Sequence, residues 1–249
     1  MIGLGALSLD FLKLNPMSTM QDLSAYGPMP AVCPEMISDP TSQFCYQKLT
    51  KQGLLTDLDI IDLDGMITPF VDHIVREIDG RKILSYGLGS YGYDVRLSEA
   101  EFYLFKTPVF IDDVVEADPK NFNKEDLLSK QELRCDDKGN TFFVMPPRSY
   151  GMAVVEECLN MPINVTALGL GKSSYARMGV NTHITPIEAG WRGHLTVAMS
   201  NSSPFPVRIY ANEGLAQLLF FRGNDCRTTY EDRQGKYQDQ GKTVTTVKV

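Results

Sequence analysis

Lys172, Ser173, Ser174 and Arg177 fall within one short segment, Gly171-Lys172-Ser173-Ser174-Tyr175-Ala176-Arg177. Two fixed cations beside two hydroxyls suit a polyanion such as a phosphate chain, because ammonium and guanidinium donors make charge-assisted hydrogen bonds to its oxygens. Standing alone, the segment also reads as a solvated basic turn. A second feature follows in His194-Leu195-Thr196-Val197-Ala198-Met199-Ser200. Period-two alternation sends Leu195, Val197 and Met199 into a core and leaves His194, Thr196, Ala198 and Ser200 on a polar face. Ala198 sits centrally on that face, where a working side chain is expected. Further on, Gln217 interrupts the apolar run Leu215 to Phe221. An amide among leucines must find hydrogen-bond partners, so it is satisfied structurally or it reads a ligand.

Two shorter motifs mislead. Gly87-Leu88-Gly89-Ser90-Tyr91-Gly92 satisfies G-x-G-x-x-G, but a dinucleotide fingerprint must open a helix. The residues after it, Tyr93-Asp94-Val95-Arg96-Leu97, are aromatic and β-branched and read as a strand, so the glycines mark a turn. Gly171-Lys172-Ser173 invites a P-loop reading, yet Thr166 stands where that motif needs its first glycine, and no obvious helix follows.

The elements that must position these residues are mostly strands. Short β-rich runs separated by Gly, Pro, Asn and Asp occur at Asp94–Leu97, Glu101–Phe105, Thr141–Val144, Gly151–Val155, Val165–Leu170, His194–Ser200, Val207–Tyr210 and Leu215–Phe221. Their spacing predicts a β-sandwich or barrel rather than βαβ units. Two short helices are expected. One starts at Thr68-Pro69 and carries Phe70, Ile74, Val75 and Ile78 on one face; the other spans Asn123 to Lys130 with Asn123 as N-cap.

Residues 1–50 are rich in Pro, Met and Ser, show little periodicity, and form an N-terminal extension of unassigned role. Residues 51–249 then make up the main domain, ending in a charged segment at about 228–249.

The formal charge of −7 argues against a nucleic-acid polymer as the main partner, though not against a single nucleotide in a local basic pocket. The five cysteines, Cys33, Cys45, Cys135, Cys158 and Cys226, are odd in number and unpaired in spacing, which suits free thiols in a reducing compartment. No apolar stretch approaches the ~18 residues of a membrane span, and Asp10 breaks the apolar start of the chain, so a cytoplasmic protein without membrane attachment is expected.

Taken in order, SYGLGSYGYDVRL, GKSSYARMG, THITPIEAGWRGH, IYANEGLAQLLFF and YEDRQGKYQDQ resemble the dCTP deaminase family of the trimeric dUTPase-like superfamily, over roughly Gly65 to Gly241. The resemblance implies a mainly β fold, a distorted jelly-roll or barrel with a few short helices. It implies a homotrimer with sites at subunit interfaces, and hydrolytic deamination of dCTP to dUTP and ammonia. dUTP or dTTP would then be product or inhibitor. Mg²⁺ is expected to arrive with the triphosphate, held mostly by phosphate oxygens and water rather than by a protein metal site. Most nucleobase deaminases use zinc through H-x-E and P-C-x-x-C signatures; His73, His183 and His194 have no matching cysteine pair, so no zinc is expected. A positioned carboxylate and fixed dipoles must then do the chemistry.

In this family the base is a glutamate on the strand after the G-W-x-G turn. With Gly190-Trp191-Arg192-Gly193 fixing the register, that position is Ala198. A methyl group accepts no proton, so the chain as written should bind nucleotide and fail in turnover. It is then either a form changed at its base or a protein that senses nucleotide without converting it.

The resemblance assigns Ser173 and Arg177 to the attacking water and the charge near C4. Lys172, Ser174, Tyr175 and Ala176 go to the phosphate-and-water segment, and Thr196 and Val197 to the nucleoside site. Gln217 goes to the sugar and triphosphate, and Tyr230, Lys236 and Gln240 to a closing segment over the triphosphate. Glu188 stands where dUTPases carry an aspartate, which leaves open a bifunctional enzyme giving dUMP. Arg177 also reads as an interface ion pair, Tyr230 as a core aromatic, Glu188 as a hairpin-end charge, and the charged tail as merely solvated.

Overall fold

Period-two runs of Val, Ile, Tyr and Phe become strands wherever one face can be buried. In the computed structural model, which describes residues 52–107 and 116–249, every expected run is a strand. The proposed extension 1–50 lies outside the described residues. In chain order the elements are β1 (Gly53–Leu54), α1 (Asp57–Ile61), β2 (Ile67–Thr68), β3 (Ile74–Ile78), β4 (Arg81–Leu88), β5 (Tyr93–Phe105), α2 (Lys124–Leu127), β6 (Leu128–Lys130) and β7 (Arg134–Cys135). There follow β8 (Thr141–Met145), β9 (Tyr150–Asn160), β10 (Val165–Gly171), α3 (Ser173–Arg177), β11 (Val180–His183), β12 (Arg192–Asn201), β13 (Val207–Tyr210) and β14 (Gly214–Arg222).

All pairings between the named strands are antiparallel, and an isolated parallel bridge joins Gly193 to Gln240. The main sheet runs β1-β14-β5-β9-β12-β11, with β10 on β14, β4 and β6 on β5, β3 on β4 and β2 on β9; a smaller sheet runs β13-β8-β7. β5 organises the whole. Its first part pairs with β4 and β14 and its second with β6, and the β9 register shifts between Leu97 and Phe102. Such an irregularity bends a strand and lets one sheet curl around a core. Tyr93, Val95, Leu97, Phe102, Phe143, Leu215, Leu218 and Phe220 fill that core, with Phe102 and Phe143 stacked at 5.0 Å. The mainly β class with a few short helices is therefore observed.

Three local expectations need correction or completion. Phe70 to Ile78 is not a helix: β3 pairs with β4 as a hairpin closed by Asp79-Gly80 at φ 50° and 76°. An Asp-Gly pair in the left-handed region favours a tight hairpin, and it overrides the apolar spacing. The second helix is shorter than expected, α2 alone, after which the chain enters β6; Asn123 does cap it, accepting from the Glu125 N–H at 3.0 Å. The segment after Gly171 does form a helix, the single turn α3. The G-x-G-x-x-G stretch is the turn it was expected to be, because β4 ends at Leu88 and β5 begins at Tyr93 directly opposite. Gly92 has φ 102°, and a Cβ there would lie 2.2 Å from the Leu218 carbonyl oxygen, so the site takes only glycine.

One buried charge pair stands out. Glu157 on β9 is fully buried, accepts from Arg96 Nε at 2.7 Å and takes the Arg96 backbone N–H at 2.8 Å. The Arg96 guanidinium lies over the Tyr86 ring at 4.7 Å. Desolvation pushes the Glu157 carboxyl above its usual range, and the Arg96 donors oppose that push.

Candidate functional site

The sequence segment richest in cations and hydroxyls forms an exposed corner. β10 ends at Gly171, Lys172 caps α3 in an extended conformation, and Ser173, Ser174, Ala176 and Arg177 are all exposed. Among the described residues Arg177 donates only from Nη1 to the Ser173 carbonyl, at 3.2 Å, and its side chain is exposed. Lys172 is different. Its ammonium donates to Asp94 Oδ2 at 2.6 Å, and the two side chains are only 11% and 12% exposed. Before this cation could serve a phosphate, a half-buried ion pair would have to open or share. Tyr175 turns inward: its ring is buried and its hydroxyl accepts the Tyr210 N–H at 2.8 Å, leaving only its backbone to a ligand. Burial also raises the Tyr175 phenol well above its usual range.

Gln217 lies on β14 opposite Leu170 on one side and Asp94 on the other. Its amide is half-exposed on the outer face, next to the Lys172–Asp94 pair, rather than enclosed among leucines. The apolar alternation therefore places Leu218 and Phe220 in the core and sends Gln217 out.

β12 shows the two faces its sequence requires. Val197 and Met199 are fully buried and Leu195 packs against the same core from a half-buried position. Val197 can thus offer a ligand its backbone alone. On the other face, Ala198 stands opposite His183 of β11 and Met152 of β9. His183 Nε2 lies 3.0 Å from Ser200 Oγ and its ring stacks on Tyr150 at 5.7 Å. The Ala198 methyl packs against a second, smaller cluster of Tyr103, Leu128, Met152, Val154 and Val244, separate from the core that takes Val197.

The C-terminal segment is docked on this strand. Tyr230 N–H donates to the Ala189 carbonyl, and its hydroxyl accepts the Tyr237 N–H at 3.0 Å. Trp191 of the G-W-R-G turn donates from Nε1 to the Tyr237 carbonyl at 2.8 Å. Gln240 pairs with Gly193, its carbonyl accepting the His194 N–H at 2.9 Å, while its side-chain oxygen lies 3.4 Å from Thr196 Oγ1. Glu188 forms an ion pair with Arg233 and Asp239 one with Arg192, which holds the Asp239 carboxyl below its usual range. Lys236 is exposed.

The chain thus gathers Glu188, Thr196, Ala198, Tyr230 and Gln240 in one region and Lys172 to Arg177 with Gln217 in another. Among the described residues, no hydrogen bond or ion pair joins Ser173, Ser174 or Arg177 to the Thr196–Ala198 face. Sequence reading missed Asp94 as the partner of Lys172, although Asp94 lies inside a motif already singled out. It also missed Glu101 and Glu156 as anchors of the tail. No group of three or more His, Cys, Asp or Glu among the described residues could hold a metal ion, and no helix there is long and apolar enough to cross a membrane. Cys135, Cys158 and Cys226 are free thiols.

Fold and site together define a β protein of antiparallel strands with a cation-and-hydroxyl corner and a strand face on which its own C-terminal segment docks. Residues 65–223 match the family model described as dCTP deaminase-like. The chain belongs to that family. It is 45% identical over 178 residues to the dCTP deaminase of Sulfurovum sp., covering 71% of this chain and 86% of that protein. It is 44% identical over 177 residues to the dCTP deaminase of Dechloromonas aromatica, covering 71% and 87%. A crystal structure of 2'-deoxycytidine 5'-triphosphate deaminase from Agrobacterium tumefaciens is similar at a TM-score of 0.48 and 20% identity, over 69% of this chain and 49% of that one.

Proposed function

We propose that the chain is built to deaminate dCTP without zinc, and that as written it binds this nucleotide but turns it over poorly, because Ala198 occupies the position of the base. The observation that carries the reading is the 41–45% identity to proteins named dCTP deaminase along most of their length. In the balanced reaction, a water oxygen bonds to C4 of the cytosine, one water proton passes to a carboxylate at position 198, and the C4=N3 electron pair moves to N3, which takes that proton from the carboxyl group. The remaining water proton reaches the amino group by way of the same carboxylate, C4=O forms as the C4–N bond breaks, and dUTP and ammonia leave. Ala198 can do neither transfer. Ser173 and the exposed guanidinium of Arg177 remain suited to hold the water and the developing negative charge.

In this reading the corner of one subunit meets the Thr196–Ala198 face of another in a homotrimer. Lys236, with no ion pair in the described chain, and Gln240 would contact the triphosphate. Mg²⁺ would arrive with the nucleotide, carried by the phosphates themselves. The compartment is taken as cytoplasmic. Ala198 also favours a second reading, a protein that senses the nucleotide and converts nothing. Glu188, paired with Arg233, keeps a route to dUMP as a finer variant.

Calorimetric titration with dCTP and dUTP in the presence of Mg²⁺ tests the reading. dCTP should bind at least about tenfold more tightly than dUTP, a difference of ~1.4 kcal/mol, with no ammonia released. Preference for dUTP, or binding of neither, would contradict it.

A further inference from the structure

The short helix α1 turns its apolar residues two ways. Ile60 is buried in the core, whereas Leu58 is 70% and Ile61 45% exposed, three residues apart and therefore neighbours on the outer face. Beside them Phe70 is 39% exposed, with its ring stacked on Tyr93 at 5.6 Å. Ile61 and Phe70 line one small cleft together with Leu63, Gly65 and the buried Ile60 and Ile67, so the exposed groups form a continuous apolar patch rather than scattered single residues. The patch is held firmly. The Asp59 N–H donates to Thr56 Oγ1 and the Thr56 N–H to Asp59 Oδ2 at 2.9 Å, which caps α1. The Leu55 N–H donates to the Phe220 carbonyl at 2.8 Å, the Asp57 N–H to the Ser90 carbonyl at 3.0 Å and the Asn160 N–H to the Met66 carbonyl at 2.8 Å. A surface already ordered in this way loses little freedom when a partner binds.

Charge selects the occupant. From residue 52 to residue 75 the chain carries Asp57, Asp59, Asp62, Asp64 and Asp72 and neither lysine nor arginine. Asp57, Asp62 and Asp64 are exposed beside the apolar residues. A second copy presenting the same patch across a twofold axis would set aspartates against aspartates. Residues 1–50 are acidic as well, with Asp10, Asp22, Glu35 and Asp39 against Lys13 and Lys48. We propose that α1 and the neighbouring Phe70 form a docking surface for a segment of another protein that carries apolar side chains flanked by lysine or arginine. Its apolar groups cover Leu58, Ile61 and Phe70, and its cations face the aspartates. Opposite charge across such a contact speeds the encounter and fixes the register, while the covered apolar area holds the complex together. The surface shares no residue with the nucleotide site assigned above, so the inference stands apart from the functional reading.

The test titrates the full chain with two short fluorescent peptides, one of leucines at helical spacing flanked by lysines, the other with glutamates in place of the lysines. The lysine peptide should bind at least about tenfold more tightly than its counterpart, and amide exchange should slow in residues 57–70 when it binds. The double variant Leu58→Ser/Ile61→Ser keeps every charge, and Asp57→Asn/Asp64→Asn keeps the apolar patch. Each should weaken the lysine peptide about tenfold and leave dCTP binding as it was. All four side chains are exposed, and thermal melting checks that both variants keep the fold. Binding that ignores the serine replacements is diffuse attraction to an acidic chain and would overturn the proposal. So would equal binding of the two peptides, or binding of neither. Self-association of the full chain that the serine replacements abolish would also overturn it, by giving the face to a second copy.

Discussion

Replacing Ala198 by glutamate is expected to raise ammonia release from dCTP by about 10²–10⁴-fold over the chain as it stands, the usual contribution of a positioned general base. The position suits a base for three reasons. It lies on the outer face of β12, in line with Thr196 and away from the core that takes Val197 and Met199. It is half-buried beside Met152 and Tyr103, so a carboxylate there would be partly desolvated and its proton affinity raised towards the working range. His183 stands directly opposite on β11, where its ring is already engaged with Ser200 rather than with position 198. The measurement is ammonia and nucleotide product formation under saturating dCTP with Mg²⁺. Unchanged turnover in an Ala198→Glu protein that still binds dCTP would contradict the assignment of the base position. The product itself, dUTP or dUMP, then decides whether Glu188 serves a second hydrolysis.

Glu157→Ala is expected to destabilise the chain by about 3–5 kcal/mol, the cost of leaving a buried charge without its partner. Arg96 loses both the bond from its Nε and the acceptor of its own backbone N–H, while its guanidinium stays against Tyr86. Against a total stability of roughly 5–15 kcal/mol for a domain, such a loss leaves a large unfolded fraction. Replacing both partners by apolar residues of similar volume should recover most of it, because no orphan charge is then left. Urea denaturation of the single and double variants separates the cases. A single-variant loss under about 1 kcal/mol would show that water reaches Arg96 and that the pair does not organise the β5–β9 junction.

Much of the fold was legible because strands with one buried face must alternate, and every run picked on that basis is a strand. The segment Phe70 to Ile78 shows where the reasoning failed: its apolar spacing fits a helix, but Asp79-Gly80 dictates a hairpin, and the hairpin pairs β3 with β4. The Asp-Gly dipeptide was visible and outweighs the spacing. For the candidate site, residue types were legible and commitments were not. Lys172 looked like a free cation, yet Asp94, far away in sequence, holds it at 2.6 Å. Tyr175 sat among candidates and is a core residue, because a one-turn helix must bury one face and Tyr175 is on it. Val197 was expected both in the core and at the nucleoside, and burial settles its side chain in the core. The course of the tail across Glu101, Glu156 and Thr196 has no local signature, since each tie spans from 49 to 143 residues of chain.

A crystal of the chain grown with dCTP and Mg²⁺ tests the central claim most directly. The account predicts the cytosine ring over the Thr196–Ala198 face, C4 towards the Ala198 methyl, and the Ser173–Arg177 corner of a neighbouring copy closing on the ligand. Electron density for the nucleotide at any other place would contradict it.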